Sequence, residues 1–186
     1  MTTAAETRTS GTAPALRRLY FVRFGFAVVW AGLLALTGSD PGVAAGVLLV
    51  LYPLFDVGAA VVDARSSRTR ELVLNMVFSA LATVGLAVAA ASGIPAVLRV
   101  WGAWAVLAGA VQLVVALRRR RLGGQWPMIL SGGISVLAGA FFIASAGQDD
   151  PSLTNLTGYA VLGGVFFLIS AIRLGPAAGT ADPDQK

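Results

Sequence analysis

The amino-acid sequence predicts an all-α, polytopic membrane protein whose six transmembrane helices form three repeated helical hairpins. Three observations predict it. The 186 residues are 56% hydrophobic and only 12% charged, with a mean hydropathy of +0.78, well away from the ~25% charged residues of soluble domains. Six apolar runs follow one another, each about twenty residues long, enough at ~1.5 Å per residue to cross a ~30 Å hydrocarbon core. The runs also repeat in pairs with one period.

Residues 1–15 are rich in Thr and Ala, carry Glu6 and Arg8 and lack apolar periodicity, so they read as a disordered tail. The first apolar run follows Arg17, Arg18 and Arg23 and continues to Thr37. It reads as an uncleaved helix, because no clear A-x-A site follows it and the repeat needs it. Five more runs lie at Pro41 to Val62, Leu72 to Ala91, Pro95 to Leu117, Trp126 to Ala146 and Leu153 to Ile172. Their connections carry helix breakers and caps: Ser39-Asp40-Pro41, Ser92-Gly93-Ile94-Pro95, Gly123-Gly124 and Asp149-Asp150-Pro151-Ser152. Helices joined so briefly are expected to pack as antiparallel neighbours. The transmembrane domain is thus 16–174, followed by a second disordered tail at 175–186.

Lys and Arg divide unequally between the two sides. Thirteen of the fourteen fall before the first run, after each even-numbered run or at the C-terminus, and Arg99 alone falls opposite. The positive-inside rule therefore predicts cytoplasmic N- and C-termini. Arg65, Arg118, Arg119, Arg120, Arg121 and Arg173 close the even-numbered runs and read as topology determinants with affinity for anionic lipid. The lipid bilayer is the expected partner, and nucleic acid is not.

The repeat is marked twice. Gly32, Gly85 and Gly139 are spaced 53 and 54 residues apart, and Arg65, Arg118 and Arg173 are spaced 53 and 55 apart. The units are about 16–68, 69–121 and 122–174. Aligned on the arginine, the second helices read YPLFDVGAAVVDAR, AVLAGAVQLVVALR and AVLGGVFFLISAIR. Ala105 with Gly109, and Ala160 with Gly164, form small-xxx-small pairs that allow close helix approach. Gly32, Gly85 and Gly139 read as packing positions in the first helices.

The first unit breaks this pattern. It has Tyr52 and Asp56 at the small positions, and Arg23 where the others have Met76 and Leu130. A charge near the bilayer centre costs at least ~2.5 to 3.5 kcal/mol, so Asp56 requires a partner, a proton or water. Asp56 lies ~13 Å and Arg23 ~7 to 8 Å in from the same boundary, so a buried ion pair is expected. Pro53 removes the bond to the Leu49 carbonyl one turn before Asp56 and predicts a kink. Gln112 lies at a similar depth and reads as an interhelical hydrogen bond. Asn75 and Asn155 read as capped or hydrated helix-end residues. Trp30, Trp101, Trp104, Trp126, Tyr20 and Tyr159 read as an interfacial aromatic belt.

With no Cys and no His, disulfides, thiol chemistry and the usual zinc or haem sites are excluded. No G-x-S-x-G, H-E-x-x-H, P-loop or dinucleotide fingerprint occurs, so neither an enzyme nor a cofactor or metal site is expected. Asp56 and Asp63, two turns apart, do not suggest a carboxylate pair for catalysis.

The segments R-F-G-F-A-V-V-W-A-G at Arg23 to Gly32, S-G-G-I-S-V-L-A-G at Ser131 to Gly139 and F-D-V-G at Phe55 to Gly58 resemble the HdeD-like family of bacterial acid-resistance membrane proteins. The resemblance spans roughly Arg17 to Arg173. It matches Arg23 to the basic residue of the family's first helix and Asp56 to the acid of its second, although Val57 here separates the acid from Gly58. It implies a bacterial cytoplasmic-membrane protein protective during acid stress, and no established reaction or ligand. The small-residue faces and the lack of a catalytic constellation point to a noncatalytic protein acting in envelope or acid stress through oligomerisation or a membrane partner. The rival expectation is a small transporter or proton-conducting channel centred on Asp56.

Overall fold

The computed structural model describes residues 4–37, 42–66 and 69–174. Its helices are α1 (Ala4–Leu36), α2 (Val43–Ser66), α3 (Arg70–Ala90), α4 (Ile94–Arg118), α5 (Trp126–Ser145) and α6 (Thr154–Arg173), with a 3₁₀ turn at Arg120–Leu122. Each contains a segment long and apolar enough to cross a membrane. The protein is an all-α, six-helix membrane protein. Helix α1 begins at Ala4, inside the stretch the composition assigns to a disordered tail. The helix runs on through Pro14, against the propensity of the Thr-, Ser- and Gly-containing stretch 7–12. The Ser39-Asp40-Pro41 connection, Arg68 and the tail 175–186 lie outside the described residues.

The described helix ends follow local chemistry. Thr69 caps α3 by accepting from the Leu72 amide at 3.5 Å. Gly93 takes φ +94 ahead of Pro95 in the first turn of α4, a backbone conformation that other residues rarely adopt. The α4–α5 connection turns through Gly123 and Gly124, at φ +74 and +63. Ser170 of α6 donates to the Gly124 carbonyl at 2.7 Å, which ties this connection to the end of the last helix.

The six helices close into a ring. All joined neighbours touch, but the most extensive seams are α2 on α3, α4 on α5, and α1 on α6. These seams fall between successive hairpins, and the last hairpin closes on the first. The closest lies between α4 and α5, where antiparallel glycines face one another. A Cβ at Gly139 would meet the Gly102 carbonyl oxygen at 2.5 Å, and one at Gly109 would meet the Gly132 oxygen at 2.9 Å. The glycines of each helix are seven residues apart, the spacing that keeps one narrow stripe facing a partner.

The small residues singled out in sequence divide accordingly. Ala105, Gly109, Ala160, Gly164 and Gly139 are buried within this one chain, and a Cβ at Gly164 would come within 3.3 Å of Ala27 Cβ. Gly32 corrects the packing expectation: it is exposed and has nothing within 4 Å of a Cβ. Gly85 is only partly buried, against Val100. The two share a register position with Gly139 but lie off the close seams.

The tryptophans correct the belt expectation. Trp30, Trp101 and Trp104 are 1%, 0% and 6% exposed and lie at the centre of the bundle. Trp101 and Trp104 are seven and ten residues past the start of α4 at Ile94, ~10 to 15 Å down the axis, which is core depth. Trp126 alone of the four is well exposed. Tyr20 is buried against Phe167, and Tyr159 donates to Ser135 Oγ at 3.0 Å.

Candidate functional site: two arginine–aspartate pairs around an internal cavity

Where the second and third units have glycine, Asp56 projects from α2 and cannot allow the same backbone approach. Polar side chains from three further helices fill the space. Arg23 of α1 places Nη2 3.0 Å from Asp56 Oδ1. Asn75 Nδ2 and Ser79 Oγ of α3 both donate to Oδ2, at 2.6 and 2.8 Å. Trp104 Nε1 of α4 donates to Ser79 Oγ at 3.0 Å. Asp56 is 8% exposed, so both of its oxygens are satisfied away from bulk solvent. The guanidinium of Arg23 also lies over the Phe167 ring of α6, 5.1 Å from its centroid, a cation–π contact that holds a weakly hydrated cation well.

Pro53 lies one turn before Asp56 inside α2 and is buried. Beside the carbonyl that proline leaves free, the Leu48 oxygen accepts from Trp30 Nε1 at 2.7 Å. Tyr52 packs edge-on to Trp30, Trp101 and Trp104, and Phe26 stacks on Phe55 at 3.7 Å. These rings form an aromatic layer on the side of Asp56 away from the basic helix ends.

Toward the basic ends lies a second pair that the sequence did not reveal. Arg119 donates to both oxygens of Asp63, at 2.8 and 2.9 Å, in the bidentate geometry that a planar guanidinium fits best. Burial works against the Arg119 charge, but the hydrogen bonds and charge of Asp63 outweigh it and hold the guanidinium pKa above its ordinary value. A cavity of about 80 Å³ runs between the two pairs, lined also by Tyr20, Asn75 and Gln112. Gln112 donates to the Met128 carbonyl of α5 at 3.1 Å, the interhelical role read from its depth.

Three assignments change. Asn75 is buried on Asp56, one turn deeper than the helix end. Arg119 leaves the basic cluster to form the buried bridge, while Arg118 pairs with Glu71 of α3. Arg65, Arg120, Arg121 and Arg173 remain exposed. Asp63, two turns from Asp56 along α2, shares the cavity with it. A carboxylate and an arginine 56 residues apart carry no local pattern; the usable signal is a carboxylate directly after an apolar run, at the depth of the basic helix ends. No family model matches the chain, nor does any curated protein or solved structure.

Proposed function

We propose that this chain is a noncatalytic multi-pass protein of the bacterial cytoplasmic membrane, HdeD-like, with cytoplasmic termini, protective in acid or envelope stress through a second copy or a membrane partner. One observation carries the noncatalytic reading: the Asp56 carboxylate is engaged at both oxygens by Arg23, Asn75 and Ser79. A carboxylate so engaged ties helices together, and its removal leaves a buried cation unpaired. The stress role rests on the family resemblance and the sidedness on the arginine distribution. The pairs Ala105–Gly109 and Ala160–Gly164 are buried inside the chain, so a partner would meet the lipid-facing apolar surface, where Gly32 lies exposed.

The test compares wild type with Asp56→Asn in liposomes, reading assembly, stability and proton flux under an imposed potential with an internal pH dye. Perturbed stability or assembly with no flux in either protein supports the proposal. Flux in wild type that vanishes in a folded Asp56→Asn protein overturns it in favour of a small proton-conducting transporter or channel. The observation favouring that second reading is the cavity that reaches Asp56 from the side of Asp63.

A further inference from the structure

We propose that the cavity between the two ion pairs is a blind, water-filled inlet, entered from the basic end, latched by the Asp63–Arg119 bridge and sealed beyond Asp56 by the aromatic layer. Its volume of about 80 Å³ exceeds several times the ~10 to 15 Å³ that one water requires. Its wall mixes apolar side chains, Val111, Val115 and Met128 among them, with polar ones. Asp56, Asp63, Arg23, Arg119, Asn75 and Gln112 all reach it, whereas cavities that stay dry are lined by apolar groups. Arg23 meets Asp56 through one nitrogen and Phe167 through its face, so it brings more N–H donors than these contacts take up. A guanidinium left with spare donors in an empty low-dielectric space would be heavily penalised, and water removes the penalty.

The two ends of the cavity differ. On one side Tyr52, Trp101 and Trp104 pack ring against ring with centroids 5.3 to 5.9 Å apart, and the space remaining beside Tyr52 and Phe55 is about 10 Å³. On the other side the wall carries one bidentate bridge, Asp63–Arg119, between side chains 10% and 13% exposed, and we assign closure to it. Two hydrogen bonds between long side chains can part by rotamer changes alone, whereas an interlocked aromatic layer must repack to open. The inlet therefore supplies water to Asp56 from one side only, whether or not the protein conducts protons.

The chain lacks cysteine, so single cysteines report directly. Ala108→Cys and Val111→Cys place thiols on the cavity wall, and Leu49→Cys, at a 1% exposed core position, is the dry control. The probe is Ag(I), an ion comparable in size to water. It replaces the thiol proton, giving RS–Ag and releasing H⁺, and requires a hydrated path. Vesicles of known sidedness are treated from one face in chloride-free buffer. Unreacted thiol is then counted with a maleimide in denaturing detergent against untreated vesicles, and retention in the membrane pellet after alkaline carbonate extraction confirms that every variant inserted.

The expected result is blocking of both cavity cysteines from the basic end at least tenfold faster than Leu49→Cys, with no such excess from the opposite face. Asp63→Asn is expected to raise the rate at both cavity positions at least severalfold. Rates as slow as at Leu49→Cys from both faces, in native and Asp63→Asn backgrounds alike, overturn the inlet. Equal fast blocking from both faces overturns the seal, and rates indifferent to Asp63→Asn overturn the latch.

Discussion

Gly139→Ala tests the ring seam most sharply. A Cβ there would lie 2.5 Å from the Gly102 oxygen and 2.8 Å from the Val106 amide nitrogen, both backbone atoms, whereas ordinary contact begins at 3.4 Å. The two helices must part by roughly 0.9 Å, a gap that forfeits a quarter to a half of each dispersion contact along the seam. Overpacking of this kind costs about 3 kcal/mol at the upper end of its range. Replacing a helical glycine returns about 0.5 to 1 kcal/mol of backbone entropy, leaving a net loss of about 2 kcal/mol. For a chain of this length that lowers the melting midpoint by roughly 4 to 8 °C. The repeat-equivalent Gly32→Ala meets nothing within 4 Å and should leave the midpoint unchanged or slightly raised. The assay is thermal unfolding in detergent, followed by loss of the monodisperse species. A Gly139→Ala midpoint equal to that of Gly32→Ala would refute the assignment of this seam.

Asp56→Ala strands Arg23, Asn75 and Ser79 and should destabilise by about 3 to 5 kcal/mol, while Arg23→Leu with Asp56→Leu costs well below the sum of the single changes; a double-mutant cycle in detergent reads the difference, and simple additivity would disprove the pair. Arg119→Lys keeps the charge but loses the fork, lowering stability by about 1 to 2 kcal/mol, and full retention of the wild-type midpoint would contradict the bidentate bridge. The folded pKa of Arg119 lies above its unfolded value, so the bridge's contribution is complete below the unfolded value and fades only as pH rises through the folded one; the Asp63–Arg119 coupling should be the same at about pH 7 and about pH 10. Trp30→Phe removes the 2.7 Å bond to the Leu48 carbonyl, which keeps its bond from within the helix, and should cost about 0.5 to 1.5 kcal/mol, measured against Trp126→Phe at the exposed site as the neutral comparison.

The elements and the first charged pair were legible because they depend on quantities that add along the chain. Hydropathy over twenty residues marks a span regardless of its neighbours, and a charge replacing an apolar residue in one of three repeats stands out by comparison. The rest required knowing which helices meet. Asn75, Ser79 and Trp104 reach Asp56 and one another across gaps of 19, 23 and 25 residues, and nothing in their own segments marks them. The tryptophans were misread from their nearness to segment ends, although counting their rise from Ile94 already put two of them at core depth. The glycine stripes are legible at a spacing of seven, Gly102 with Gly109 and Gly132 with Gly139, and not at the spacing of four that defines a small-xxx-small pair.

The closed ring also sets an order of assembly. During synthesis Arg23 and Asp56 belong to the first hairpin to enter the bilayer, so each charge arrives with its counter-charge. The glycine seam of α4 and α5 forms when the third hairpin begins to insert. The mate of α1 comes last: Arg17 Nε donates to the Ala171 carbonyl 154 residues later, at 3.2 Å. The earliest helix made is therefore the latest enclosed, and until α6 arrives one flank of Arg23 lacks the Phe167 ring that will cover it.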